Sequence, residues 1–217
     1  IIGMMIAIAR NFPRLVHAQD EHRWMLDENN FTVRELSGSR LLILGAGNIG
    51  KALARKALGM ELEVEVLGRN PREQFMEGVT YRTIDALDHA LSEADHVAVC
   101  VPLTPETDGL FDAARFARMK PGAVIYNVGR GPIIRTDDLI AALESGQLSG
   151  AGIDVSDPEP LPASHPLWNA PNVFITGHTS GRTPYYWDRG GRILRNNIRH
   201  YLAGEPLENL VDFDLGY

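Results

Sequence analysis

The residues with the plainest chemical purpose are six in a row, Gly45-Ala46-Gly47-Asn48-Ile49-Gly50. Glycines at the first, third and sixth places let a chain bend sharply, bring backbone close to a pyrophosphate and seat a helix against a strand. The free amides and dipole of a following helix favour an anion, so the turn reads as a dinucleotide site built on Gly45, Gly47, Asn48, Ile49 and Gly50. About twenty positions on, where a carboxylate would hold the ribose hydroxyls of NAD, stand Arg69, Asn70 and Arg72. These are donors that can pair with a 2′-phosphate, so NADP(H) is the expected cofactor, with NAD(H) possible.

A second kind of chemistry needs a proton carrier. Of seven histidines, His17, His22, His89, His96, His165 and His200 fall on helices, at strand edges or in loops without an evident partner, and read as structural or solvated. His178 differs. It stands in Ile175-Thr176-Gly177-His178-Thr179-Ser180-Gly181, just past an apolar run, and ligands of open α/β sheets bind beyond the carboxyl ends of strands. No His-x-x-x-His or Cys/His pairing points to a metal. The single cysteine, Cys100, cannot form an intrachain disulfide, which fits a reducing compartment and a cytoplasmic location.

Positioning these groups requires alternating strands and helices. Arg40 to Leu44 reads as a strand, Lys51 to Leu58 as a helix, Leu62 to Leu67 as a strand, Ile84 to Leu91 as a helix and His96 to Val101 as a strand. There follow a short helix from Asp112 to Ala117, a strand from Ala123 to Val128 and a helix from Thr136 to Leu143. Strands from Ala151 to Val155 and from Asn172 to Thr176 come next, then a long helix from Pro184 to Leu202, with proline at its first position. Such alternation predicts an α/β fold, a doubly wound, Rossmann-like parallel sheet with flanking helices. Glu61, Glu63 and Glu65 alternate with Leu62, Val64 and Val66, which predicts a half-exposed strand at the sheet margin. The proline-rich stretch 156–171 reads as a stiff, extended loop lining the site. Met5, Ile8, Phe12, Leu15 and Val16 recur at helical spacing, so the start of the chain reads as an amphipathic helix kinked near Pro13. The expected layout is a helical segment over 1–36, a dinucleotide-binding domain over 37–183 and a C-terminal helix and tail over 184–217.

Composition excludes several classes. The chain has 217 residues, 44% hydrophobic and 23% charged, the balance of an ordinary globular domain. A net charge of −7 without a basic run argues against nucleic acid as partner. The apolar start is shorter than the about 20 residues of a membrane span and lacks a basic leader, so no membrane association is expected. The chain begins at Ile1 inside an apolar pattern, and we expect further sequence upstream.

Four separated motifs carry a resemblance. Val101-Pro102-Leu103-Thr104-Pro105-Glu106-Thr107, then Asn127-Val128-Gly129-Arg130-Gly131, then Asp154-Val155-Ser156-Asp157-Pro158-Glu159-Pro160, then His178, in that order, resemble the D-isomer-specific 2-hydroxyacid dehydrogenases. The resemblance implies that Arg130, Glu159 and His178 are catalytic and that Asp154 holds the nicotinamide carboxamide. It also places Pro102, Thr104, Val128 and Gly129 at the cofactor. The activity it implies is reduction of a small 2-oxo acid to the D-2-hydroxy acid by hydride transfer. The chemistry suits those residue types: a guanidinium can grip a carboxylate by two parallel bonds, and an imidazolium can protonate the oxygen on which charge grows. A carboxylate on the other ring nitrogen, the part given to Glu159, favours the charged imidazole.

By the same resemblance the protein is a homodimer with a separate N-terminal substrate-binding domain. Glu159 separates the chain from the similar formate dehydrogenases, which have glutamine there. Gly177 before the histidine and Ser156 after Asp154-Val155 depart from the family's usual proline and phenylalanine, which leaves the choice of 2-oxo acid open. The rival expectation is a catalytically weak, nucleotide-sensing corepressor-like binding protein of the same fold. A short-chain dehydrogenase is disfavoured, since no Tyr-x-x-x-Lys occurs.

Overall fold

The computed structural model describes residues 1–25 and 33–213, in two compact units, Ile1–Gly177 and His178–Tyr217. These bounds differ from the expected 1–36, 37–183 and 184–217, and the parts of that expectation on 26–32 and 214–217 lie outside the described residues.

Among the described residues the first unit holds seven parallel strands: β1 (Arg40–Leu44), β2 (Glu63–Gly68), β3 (Val79–Thr83), β4 (His96–Val99), β5 (Ala123–Asn127), β6 (Leu148–Ile153) and β7 (Val173–Ile175). Their order is β3-β2-β1-β4-β5-β6-β7, a Rossmann-like sheet whose direction of winding switches between β1 and β4. Side chains alternate along each strand, so β1 feeds both faces. Leu41 and Ile43 join Met4, Met5, Leu53 and Ala57 of α1 (Ile2–Ala9) and α3 (Asn48–Leu58). Leu42 and Leu44 join Leu91, Phe116 and Leu139 of α4 (Leu87–Glu93), α5 (Ala113–Arg118) and α6 (Thr136–Glu144). Each such leucine contributes about 1.5–3 kcal/mol by leaving water.

The N-terminal segment is two helices, α1 and α2 (Phe12–Asp20), rather than one kinked helix. The break falls at Asn11, which is left-handed (φ 55°), and Pro13 sits in the first turn of α2, where its missing N–H costs nothing. α1 packs on the unit's own sheet. Gly152 in β6 makes room for it, since a Cβ there would lie 2.9 Å from Met4 Sδ and 2.8 Å from the Tyr126 ring.

β3 was not expected, because Val79-Thr80-Tyr81-Arg82-Thr83 is nowhere fully buried and lacks an apolar run. It moves the sheet margin outward: β2 is an inner strand. The glutamates of β2 are paired instead, Glu65 with Arg82 of β3 at 3.1 Å and Glu63 with Arg40 of β1 at 2.9 Å. The proline-rich loop is not extended either. The Trp168 indole donates to the Pro162 carbonyl (2.8 Å), and the His165 ring accepts the Leu167 N–H (3.1 Å), folding the loop into a short turn over Pro166–Asn169.

In the second unit α7 (Tyr186–Ala203) starts two residues after Pro184, so the proline precedes the helix instead of opening it. The helix ends at left-handed Gly204, and the Asn197 side chain bonds the backbone of Glu208 in both directions, at 2.7 and 3.0 Å. No helix among the described residues is long and apolar enough to cross a membrane.

Candidate active site

The glycine turn joins β1 to α3 at the switch point. Gly45 has φ +110°, and a Cβ there would lie 2.7 Å from the Cys100 carbonyl oxygen at the end of β4. At Gly50 a Cβ would fall 1.9 Å from the Gly45 carbonyl oxygen, so helix and turn touch through glycine alone. Gly47 has open space in front of it and opens α3 with no side-chain cap. Asn48 and Ile49 are exposed in that first turn. A sharp bend, an uncapped helix start and a vacant approach at Gly47 fit a dinucleotide pyrophosphate.

After β2, the Tyr81 hydroxyl donates to the Asn70 carbonyl at 2.6 Å, which pins the turn carrying Arg69 and Asn70. The Arg72 guanidinium lies 5.8 Å from the ring centres of both Phe75 and Tyr81, held on an aromatic face. The loop after β4 is knotted by Thr107, whose hydroxyl accepts the Thr104 N–H (2.8 Å) and lies 2.7 Å from the Pro102 carbonyl oxygen, to which it donates. A hydrogen bond from Thr104 holds the Glu106 carboxyl below its ordinary range, with Arg69 a smaller contributor. Arg69 therefore sits within electrostatic reach of this loop.

The turn after β5 is clamped by a buried side chain. Asn127 Oδ1 accepts the Gly129 N–H (3.0 Å), and its Nδ2 donates to the Arg130 carbonyl (2.9 Å). The Arg130 guanidinium is exposed and donates to the Gly129 carbonyl (2.7 Å). A Cβ on Gly131 would fall 2.0 Å from the Ser156 carbonyl oxygen, so this turn touches the start of the loop that carries Glu159. Asp154, just beyond β6 and 2% exposed, accepts the Thr176 hydroxyl at 2.5 Å. Its own N–H donates to the Asn127 carbonyl at 3.0 Å. Sequence reasoning assigned no role to Asn127, Thr107, Thr176 or Tyr81. The Thr-x-x-Thr and Asn-x-x-Arg spacings are the local signals that mark the first two.

The first unit thus brings together the glycine turn, the Pro102–Thr107 loop, Val128–Arg130 and Asp154 along the carboxyl ends of β1, β4, β5 and β6. Glu159 is exposed in the loop that follows. His178 opens the second unit and has a left-handed backbone, φ 52°. Cys100 remains a thiol, since burial pushes it up to about 12. Among the described residues no cluster of His, Cys, Asp or Glu is arranged to hold a metal.

The family model for the D-isomer specific 2-hydroxyacid dehydrogenase NAD binding domain matches residues 2–180. The chain belongs to that family. It is 37% identical over 217 residues to a hydroxypyruvate reductase of Blautia hydrogenotrophica, covering 97% of this chain and 66% of that one. To a glyoxylate/hydroxypyruvate reductase B of Salmonella newport it is 43% identical over 215 residues, covering 98% and 62%. The chain spans less than two thirds of the length of these curated relatives. A family member from Xanthobacter autotrophicus Py2, solved with NADPH and MES, superposes with a TM-score of 0.86 at 36% identity, covering 100% of this chain and 86% of that one. An NADPH-dependent glyoxylate/hydroxypyruvate reductase of Sinorhizobium meliloti, solved with NADP and sulfate, gives 0.88 at 30% identity, covering 100% and 67%. The family shares the Rossmann-like sheet and the nicotinamide-nucleotide site that the glycine turn fits.

Proposed function

We propose that the protein containing this chain reduces a small 2-oxo acid, of the glyoxylate or hydroxypyruvate type, to the D-2-hydroxy acid, with NADP(H) preferred over NAD(H). The observation that carries the reading is the Asn127 clamp, which ties the Arg130 turn to the backbone of buried Asp154 at the carboxyl ends of β5 and β6. The names of the curated relatives support the substrate class, and the NADP(H) complexes of the structural neighbours support the cofactor.

In this reading Arg130 grips the substrate carboxylate by two parallel bonds and polarises the carbonyl. A bound reduced nicotinamide supplies the hydride. Asp154, steadied by Thr176, accepts from the carboxamide and so fixes which ring face is presented, while Thr104, Pro102, Val128 and Gly129 border the cofactor. His178 gives the carbonyl oxygen its proton as charge builds there, and Glu159 accepts the other ring N–H and so favours the imidazolium. Gly45, Gly47, Asn48, Ile49 and Gly50 take the pyrophosphate, and Arg69, Asn70 and Arg72 take the 2′-phosphate. The enzyme is read as a cytoplasmic homodimer. Its dimer contact is supported by exposed Phe12, Val16 and Trp24, the last 90% accessible.

Steady-state oxidation of NADPH and of NADH with glyoxylate, hydroxypyruvate and phenylpyruvate tests the proposal. Turnover of either of the first two, with higher kcat/KM for NADPH, is expected. Tight NADPH binding without turnover of any of the three would replace the enzyme by a nucleotide-sensing binding protein.

A further inference from the structure

The end of the sheet away from the glycine turn carries a cavity of about 270 Å³, lined by Arg14, Arg34, His96, Ser149 and Asn172 among others. His96 opens β4, Ser149 lies near the start of β6 and Asn172 just precedes β7, so the cavity sits at the amino ends of the strands. The His96 residue is 4% exposed, and its Nδ1 lies 3.1 Å from the hydroxyl of Tyr126, which is fully buried. The Tyr126 hydroxyl has no other acceptor among the described residues. It therefore donates to Nδ1, the arrangement that satisfies both groups, and the ring proton is on Nε2. That Nε2 has no protein partner among the described residues, yet it is not one of the sealed-off polar atoms, which are Glu65 Oε1, Asp88 Oδ1 and His200 Nδ1. Its N–H therefore opens on the cavity.

Three other lining residues, one of them a cation, are held in place. Arg34 Nη1 donates to the Gly122 carbonyl (2.7 Å), and the Ser149 hydroxyl donates to the same oxygen (2.6 Å). Asn172 Nδ2 donates to the Ser149 carbonyl at 3.1 Å. The nearby carboxylate, Asp95, is engaged elsewhere, by the Arg40 N–H (2.9 Å) and by Lys120 (2.6 Å). A buried N–H donor and the Arg34 guanidinium, with no carboxylate among the described lining residues, define what would fit: a small anion with oxygen acceptors.

We infer that this cavity is a second binding site, for a small oxyanion, either phosphate or the carboxylate of a small acid, held by Arg34 and the His96 Nε2–H. At about 270 Å³ it lies just below the range of ordinary ligand pockets and has room for a small oxyanion with bound water. The site stands whatever the fate of the proposed reduction, because none of its residues belongs to the reaction.

The test is a titration of the isotope-labelled full chain, first saturated with NADP+, with inorganic phosphate and separately with malonate, ionic strength being held with chloride. Shifts are followed at the His96 ring and the Ser149 amide, with the Gly47 amide reporting the cofactor turn. Saturable shifts at His96 and Ser149 with either ion are expected, with Gly47 unmoved, and the ion that acts identifies the group the site takes. Arg34 is exposed, so Arg34→Ala leaves the fold intact and weakens that binding about tenfold or more, while Arg34→Lys keeps most of it. Absence of saturable shifts at His96 and Ser149 with both ions, or an Arg34→Ala midpoint equal to that of the parent, would overturn the inference.

Discussion

The two ends of the sheet solve different problems with the same strands. At the carboxyl ends the polar groups are mostly backbone, presented by turns that only glycine permits and clamped by neutral side chains, Asn127, Thr107 and Thr176. At the amino ends they are paired charged side chains of strands, a helix end and loops, Arg40 with Glu63 and Glu93 and Lys120 with Asp95, around one buried neutral histidine. The difference teaches where each end spends its constraint. Close backbone approach, as at Gly131 against Ser156, fixes geometry to a fraction of an ångström, which ligand chemistry requires. Exposed ion pairs at the other end contribute little each and tolerate change.

The largest expected effect tests whether turnover belongs to the carboxyl end. His178→Ala lowers kcat by about a hundredfold or more, with NADPH affinity nearly unchanged, as removal of a general acid does. Near-normal turnover in a rapid steady-state assay would refute that role. Next, Arg69→Asp lowers the NADPH to NADH ratio of kcat/KM by roughly ten- to a hundredfold, the loss of one charged hydrogen bond plus new repulsion. An unchanged ratio would show that Arg69 is idle. Asn127→Ala releases the turn that carries Val128, Gly129 and Arg130 and is expected to cost about tenfold in kcat/KM for the 2-oxo acid, with a smaller loss of NADPH affinity. Equal loss in both would mean a general structural role.

The smallest effect lies at the amino end. Burial pushes the His96 imidazole down to about 4 from its ordinary 6.5. Its folded value is the depressed one, so the unfolded chain binds the extra proton first. The stability from keeping it neutral is therefore full above 6.5 and lost as pH falls toward 4, at most about 1.4 kcal/mol per pH unit. Denaturant melts at steps across that window should show this slope in the parent and a shallower one in His96→Gln, with kcat at neutral pH unaltered. Identical slopes would remove His96 from the account.

Much of the frame was legible in the residues. The apolar runs of β1, β4 and β5 are buried on both faces, and such runs announce inner parallel strands. β3 was not legible, because a half-buried marginal strand has no apolar run to betray it. The expected strand began at Ala151, three residues late, since Ser149 and Gly150 break the apolar run and only the packing of α1 against Gly150 marks them as strand. His96 looked like an unpartnered edge residue, and its partner, Tyr126, is thirty positions away.

By itself the sequence determined the alternation of strands and helices, the glycine turn and the inventory of groups able to bind or move a proton. These depend on spacing within a few residues, where the geometry of a strand, turn or helix dictates who is near whom. Tertiary structure alone decided that Asn127 holds Arg130 in place while also bonding Asp154, that Tyr81 steadies the Asn70 turn and that the His96 N–H opens on a cavity. Two of those outcomes join a strand residue to the turn beyond another strand. Parallel strands are brought side by side by long crossovers, so no local pattern encodes which side chains will meet.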